Sequence, residues 1–97
     1  MRLDAFLKVS RLVKRRSVAK DLCDAGGVRV GGAKAKPGRE LKAGDVLSVR
    51  LKRRRVVVEV VEIPRGNVPK ERAHELYRII EDSAVNEDEG GAFFETS

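Results

Sequence analysis

Side chains able to make strong charged contacts crowd the start of this chain. Arg2, Lys8, Arg11, Lys14, Arg15, Arg16 and Lys20 put seven cations in the first twenty residues, opposed by one acid, Asp4. Such a cluster is suited to anion binding. A guanidinium presents a planar fork that bridges phosphate oxygens and stacks on exposed bases, and an ammonium adds a mobile point charge. Groups for covalent or metal chemistry are sparse by comparison. Cys23 and His74 are the sole residues of their types, far apart in sequence, and Ser10 and Ser17 read as helix and cap residues. A lone cysteine forms no internal disulfide and no cysteine-based zinc site. The expectation is a binding protein without catalysis, metal or cofactor.

The charge is unevenly spread. Through Ile80 there are 21 basic and nine acidic residues, a net +12, whereas residues 81–97 carry six acids and no base, for a whole-chain charge of +6. A small body this positive attracts nucleic acid or an anionic membrane. A membrane-surface helix needs a broad apolar face, often with Trp or Phe. The first helical stretch has one Phe, Phe6, whose face is needed for the core, so nucleic acid is favoured. Charges interrupt every apolar stretch near the start, unlike a signal peptide, and no run approaches membrane-spanning length. A cytoplasmic protein without membrane contact is the simplest expectation.

These cations need elements to position them. Leu3, Phe6, Leu7, Val9, Leu12 and Val13 recur at helical spacing, with Asp4, Lys8, Arg11 and Arg15 on the polar face and Asp4 one turn from Lys8. Lys14 to Arg16 form a turn, and Ser17 is a good N-cap for a second helix. Val18, Leu22 and Ala25 give that helix its apolar stripe, and Gly26-Gly27 stop it. Val28–Val30 and 33–36 read as strands around a Gly31-Gly32 hairpin. VLSVRL (46–51) alternates as a strand should, Lys52 to Arg55 make a basic tip, and VVVEVVEI (56–63) is the strongest strand in the chain. After Pro69, the spacing of Ala73, Leu76, Tyr77 and Ile80 predicts a third helix over 70–83. The acidic end, with Phe93-Phe94 as a conceivable docking point, reads as disordered. The expected fold is α+β, with two helices packed on a small, mainly antiparallel four-strand sheet and a C-terminal helix. Its expected parts are a domain over 1–63, a linker and helix over 64–83, and a tail over 84–97.

The order of these pieces resembles the S4-type (alpha-L) RNA-binding domain. The resemblance rests on residues 2–49: the RLD opening, the RRS turn at 15–17, the G-x-V-x-V-x-G hairpin from Gly26 to Gly32, and the Gly44-Asp45 turn. The opening MRLD-x-FLKVSRL-x-KRR and the overall length are similar to one free-standing branch, the bacterial P-site tRNA stabilising factors of ribosome-associated quality control. Ala5 departs from that branch, where Lys is common. The resemblance implies binding to stalled large ribosomal subunits through rRNA and peptidyl-tRNA. The tRNA would be held there while a partner factor adds a template-free alanine tail to the nascent chain. A sister branch, the heat-shock S4 proteins, also binds nascent-chain-loaded large subunits, but usually with a longer basic C-terminal extension.

On this reading Arg2, Arg11, Lys14, Arg15 and Arg16 are the main RNA contacts. Lys8 and Lys20 widen the patch, and Arg29 and Lys34 extend it along the hairpin. Asp4 is either an orienting acid for Lys8 or Arg11, an acceptor for a base or ribose hydroxyl, or a first-turn helix acid. Lys52 to Arg55 are either a second RNA contact or a solvated tip. A monomer is expected. A helix-turn-helix DNA regulator is the rival reading, weakened because the second helix would offer Asp21 and Asp24 to a DNA groove.

Overall fold

In the computed structural model of the protein, residues 1–84 are described. The first helix, α1, spans Leu3–Val9 and buries Leu3, Phe6 and Leu7. It is shorter than the apolar spacing predicts, because the chain turns sharply at Ser10 and Arg11. Arg11 adopts φ 62°, the left-handed conformation that commonly closes helices and that glycine usually supplies. The Arg11 N–H reaches the Lys8 carbonyl at 3.1 Å, and the Val13 N–H reaches the Leu7 carbonyl at 3.0 Å. Ser10, buried in the turn, donates its hydroxyl to the Leu7 carbonyl. Leu12 and Val13 therefore join the core from a loop.

Helix α2, Arg16–Asp24, begins two residues earlier than an N-cap at Ser17 would place it. Arg15 holds the cap position in extended backbone without a side-chain cap bond, and its carbonyl accepts the Ala19 N–H at 3.0 Å. This phase buries Ala19, Leu22 and Cys23, leaving Val18 partly covered and Ala25 exposed. The decisive factor is contact with α1 and the sheet, which overrides the weak local preference for serine at the cap. Gly26 and Gly27 end α2 as expected, donating to the carbonyls of Cys23 and Leu22.

Strands β1 (Val28–Val30), β2 (Ala33–Lys34), β3 (Val46–Arg50), β4 (Arg54–Val60) and β5 (Tyr77–Ala84) form one antiparallel sheet in the order β2-β1-β3-β4-β5. Gly31 and Gly32, at φ 59° and 86°, supply the two positive values that a tight primed hairpin turn requires. Alternation along the sheet sends Val28, Val30, Leu47, Val49, Val56, Val58 and Val60 into a core shared with the helices. The opposite face carries Arg29, Ser48, Arg50, Arg55, Val57 and Glu59.

The C-terminal region corrects the sequence reading. A 3₁₀ helix spans Lys70–Leu76, and the chain is then extended as β5, a fifth strand in place of the rest of the expected helix. The apolar spacing holds through Ala73 and Leu76, which are buried, whereas Ile80 is half exposed. β4 would otherwise leave an unpaired edge, and β5 covers it with matched charges. Arg54 grips Asp82 through two bonds of 2.7 and 3.0 Å, Arg55 meets Glu81 at 3.4 Å, and Arg78 reaches Glu59 at 2.6 Å. This tertiary pairing outweighs helix propensity, as strand contexts often do. The register shifts between Val57 and Val58, leaving Ile80 as the extra residue of a bulge. Apart from Ala84, the expected acidic tail and Phe93-Phe94 lie outside the described residues.

Candidate nucleic-acid interface

The first turn of α1 is held by a neighbouring loop. Its leading N–H groups, from Leu3 and Asp4, donate to the carbonyls of Arg39 and Pro37, satisfying donors that a helix start leaves open. The Met1 ammonium pairs with Glu40 at 3.0 Å. The loop thus fixes where Asp4 sits, and Asp4 is the organising residue of the site. It is 3% exposed. Its Oδ1 lies 3.3 Å from Nε of Arg2 and 3.5 Å from a terminal nitrogen of Arg16, and it also accepts the Ala5 N–H at 2.8 Å.

One buried carboxylate therefore ties together two arginines fourteen positions apart, one before α1 and one opening α2. Both guanidiniums remain about half exposed, at 50% and 55%, so each keeps donors facing solvent. Charge-assisted, oriented donors of this kind are the strong phosphate contacts. The expected pairing of Asp4 with Lys8 or Arg11 is replaced by Arg2 and Arg16, because α2 starts against the N-terminus of α1 and brings Arg16 within reach.

From Arg2 an open groove of about 670 Å³ runs between α2, β2 and the following loop. Arg2, Lys20, Lys34, Lys36 and Arg39 line it, with Asp24 as its acid. Asp24 also meets Lys20 at 3.6 Å along α2. Lys36 and Arg39 were missed in the sequence; their signal was a pair of cations flanking the Pro37-Gly38 turn. The other expected contacts are dispersed. Lys8 and Arg11 line a polar hollow of about 290 Å³ with Asn67. Lys14 and Arg15 stand exposed on the turn. Among the described residues, none of Lys8, Arg11, Lys14 and Arg15 pairs with a carboxylate. Arg29 faces the other side of the sheet, where it donates to the Gly32 carbonyl at 3.3 Å.

The remaining titratable candidates are placed otherwise. Cys23 is 4% exposed in the core. Burial first, and the nearby carboxylates of Asp4 and Asp24 second, push its thiol up to about 11. A thiol so protonated at neutral pH is a poor nucleophile. His74 is exposed on the 3₁₀ helix. Among the described residues no group of three or more His, Cys, Asp or Glu is placed to hold a metal ion.

A two-helix unit packed on a small sheet, with its cations gathered where the helices meet, defines an S4-type RNA-binding protein, and residues 1–47 match the S4 domain family. A solved structure titled as a trimeric heat shock protein 15 of Vibrio cholerae superposes with a TM-score of 0.76 at 28% identity, covering 81% of this chain and 80% of that one. A solution structure of the hypothetical protein HP1423 gives 0.72 at 36% identity, covering 84% and 98%. The RQC P-site tRNA stabilizing factor of Listeria monocytogenes is 45% identical over 87 residues, 90% of this chain and 94% of that protein. The chain belongs to the family of RQC P-site tRNA stabilizing factors.

Proposed function

We propose that this protein binds structured RNA on the large ribosomal subunit and steadies peptidyl-tRNA in the P site during ribosome-associated quality control. It acts in the cytoplasm as a non-enzymatic, monomeric factor. The tRNA it steadies is the substrate of a partner factor that adds a template-free alanine tail to the nascent chain. The observation that carries the reading is the Asp4 carboxylate, buried between Arg2 and Arg16. It orients two phosphate-binding forks at the head of a basic groove.

Recognition rests on shape and backbone. The major groove of A-form RNA is closed to side chains, and the exposed groups here are cations, which read phosphate positions without reading bases. Arg2 and Arg16 supply oriented contacts. Lys20, Lys34, Lys36 and Arg39 line the groove that continues from them, and Lys14 and Arg15 meet a phosphate strand at the turn between the helices. The alternative of a helix-turn-helix DNA reader fits poorly, because α2 exposes Asp21 and Asp24. The heat-shock S4 role, recycling nascent-chain-loaded large subunits, is favoured as a second reading by the fold shared with the Vibrio cholerae protein.

Sedimentation of lysates with and without induced stalling tests the peptidyl-tRNA part of this reading. A P-site factor concentrates on large subunits carrying peptidyl-tRNA. Equal occupancy of empty and tRNA-bearing subunits would remove the tRNA half of the proposal.

A further inference from the structure

Acids and bases meet in register along the last edge of the sheet, where Asp82 and Glu81 of β5 pair with Arg54 and Arg55 of β4. One row of residues beside them crosses the face turned away from the helices. In it Ser83 lies opposite Arg55, Arg55 lies opposite Arg50, and the Arg50 N–H reaches the Gly27 carbonyl at 2.8 Å. Arg50 and Arg55 are like charges directly opposite each other, an arrangement that repels. With Arg29, Ser48 and the Gly26-Gly27 backbone they line a concavity of about 430 Å³, which has three guanidiniums and no acid among its lining residues.

Residues 85–97 begin at the rim of this hollow. Ala84, opposite Arg54, is the last described residue. Val85 and Asn86 separate it from Glu87, Asp88 and Glu89, three consecutive acids in a segment without Lys or Arg. An extended chain covers about 3.3–3.6 Å per residue, so these three acids fall within roughly 10–18 Å of Ala84. Strands lie about 4.8 Å apart, which puts the strands of Arg55, Arg50 and Arg29 roughly 5, 10 and 14 Å from β5.

We propose that the acidic segment Glu87–Glu89 docks in this arginine hollow and competes there with RNA. Charge and tether select this occupant. A carboxylate offers a guanidinium fork the same paired oxygens as a phosphate. A segment held a few residues away acts at an effective concentration on the order of millimolar. The hollow is continuous with the helix-side groove: Lys34 lines that groove and lies in register with Arg29. A strand of RNA leaving the groove past Lys34 therefore meets the arginines that the acids occupy. An RNA with many well-placed phosphates displaces the segment, whereas one that binds through a few loose contacts does not. The acids thus act as a filter against weak RNA binding. The inference rests on the RNA-binding reading above and adds a regulator to it.

The test uses the full chain and a structured rRNA fragment, titrated over a salt series. Glu87→Gln, Asp88→Asn and Glu89→Gln together should tighten RNA binding about fivefold at ~50 mM salt, the gain fading by ~0.5 M as screening weakens the docked contact. An equal change of charge outside the hollow, Glu62→Gln with Glu71→Gln and Glu75→Gln, should give about twofold at most through the general field. In a chain carrying Arg29→Gln and Arg55→Gln, neutralising Glu87, Asp88 and Glu89 should no longer tighten binding. Backbone amide NMR signals of Gly27, Arg29, Ser48 and Arg55, recorded without RNA, should move when those three acids are neutralised. Thermal melting verifies that each variant is folded. No gain, an equal gain from the control, a gain that survives the loss of the two arginines, or unmoved signals would each overturn the docking. If every chain fails to bind the rRNA fragment while the hollow signals respond, the docked contact stands and the RNA-binding reading falls.

Discussion

Two clusters of basic residues in this molecule have met opposite fates. At the helix junction Lys8, Arg11, Lys14 and Arg15 stand in solvent without a carboxylate partner among the described residues, and Arg2 and Arg16 share the buried Asp4 with their forks half exposed. On β4, Arg54 and Arg55 are met by Asp82 and Glu81 of β5. In sequence both runs are dense in positive charge, and folding separates them. The first is left available to an outside anion, and the second is largely neutralised from within. An internal acid can therefore play contrary roles. Asp4 is buried beneath its arginines and aims them outward, whereas Glu81 and Asp82 are exposed and compete for theirs.

The sharpest break between the regions is expected from removing one cation in each. Arg16→Ala should weaken binding to a structured rRNA fragment about ten- to a hundredfold, the value of ~1.5–3 kcal/mol for a charge-assisted hydrogen bond. Arg54→Ala should stay within about twofold, as a residue already paired on the surface. Lys14→Gln and Arg15→Gln each remove one phosphate-neutralising cation. The slope of log affinity against log salt should therefore fall by ~0.7–0.9 in each, and stay unchanged in Arg54→Gln. Filter binding over a salt series reads both effects.

Asp4→Asn sharpens the contrast between aiming and bulk charge. It raises the net charge of the binding face by one, so attraction alone would tighten RNA binding. Positioning requires the reverse, a loss of about tenfold with ~1–3 kcal/mol of stability, as expected where a buried hydrogen-bonding group loses its charged partners. Tighter binding by this variant would end the positioning account.

Arg11→Gly is expected to have a smaller and two-sided effect. The left-handed backbone costs an ordinary residue ~1–2 kcal/mol, and glycine returns part of that gain through unfolded-chain entropy. Stability should rise by about 0.5–1 kcal/mol while RNA affinity falls about threefold. A thermal melt paired with a titration measures the trade. A rise in stability with no loss of affinity would show that the arginine is not needed there for binding.

The smallest effect tests the neutralised region directly. Glu81→Gln with Asp82→Asn frees Arg54 and Arg55 and should tighten RNA binding about twofold at low salt. Its stability cost should be no more than ~1 kcal/mol per exposed pair, vanishing as salt screens the charges. A larger gain would mean that the β4 cations are an occluded part of the interface.

The sequence was most legible where backbone chemistry is local. Gly26-Gly27 closing α2, Gly31-Gly32 turning the hairpin, and the alternation of residues 46–50 each follow from residue type and period alone. The cluster at the helix junction was legible as charge, since Arg2, Lys20 and Lys34 line one groove and Arg16 joins Arg2 at Asp4. Its organisation was not. Asp4 pairs with Arg16 only because two helix starts are packed together, and no spacing rule relates positions 4 and 16. Arg39 escaped notice because it sits on an irregular loop, and Lys36 because it was read as the end of a strand that stops at Lys34. The region after Leu76 misled for a different reason. Tyr77 and Ile80 continue a helical spacing, but the open edge of β4 and its arginines, both distant in sequence, decide the outcome.

The bulge at Ile80 has a consequence for how copies of this chain coexist. β5 ends the sheet, and an exposed edge strand with Ile79 and Ile80 half exposed is a template on which another strand can grow. A bulge and a row of charged residues are the usual protections of such an edge. Arg78, Glu81 and Asp82 beside the bulged Ile80 supply both here. The same acids that quiet the β4 arginines thereby guard against aggregation, so solubility at high protein concentration depends on a strand that lies apart from the proposed RNA groove.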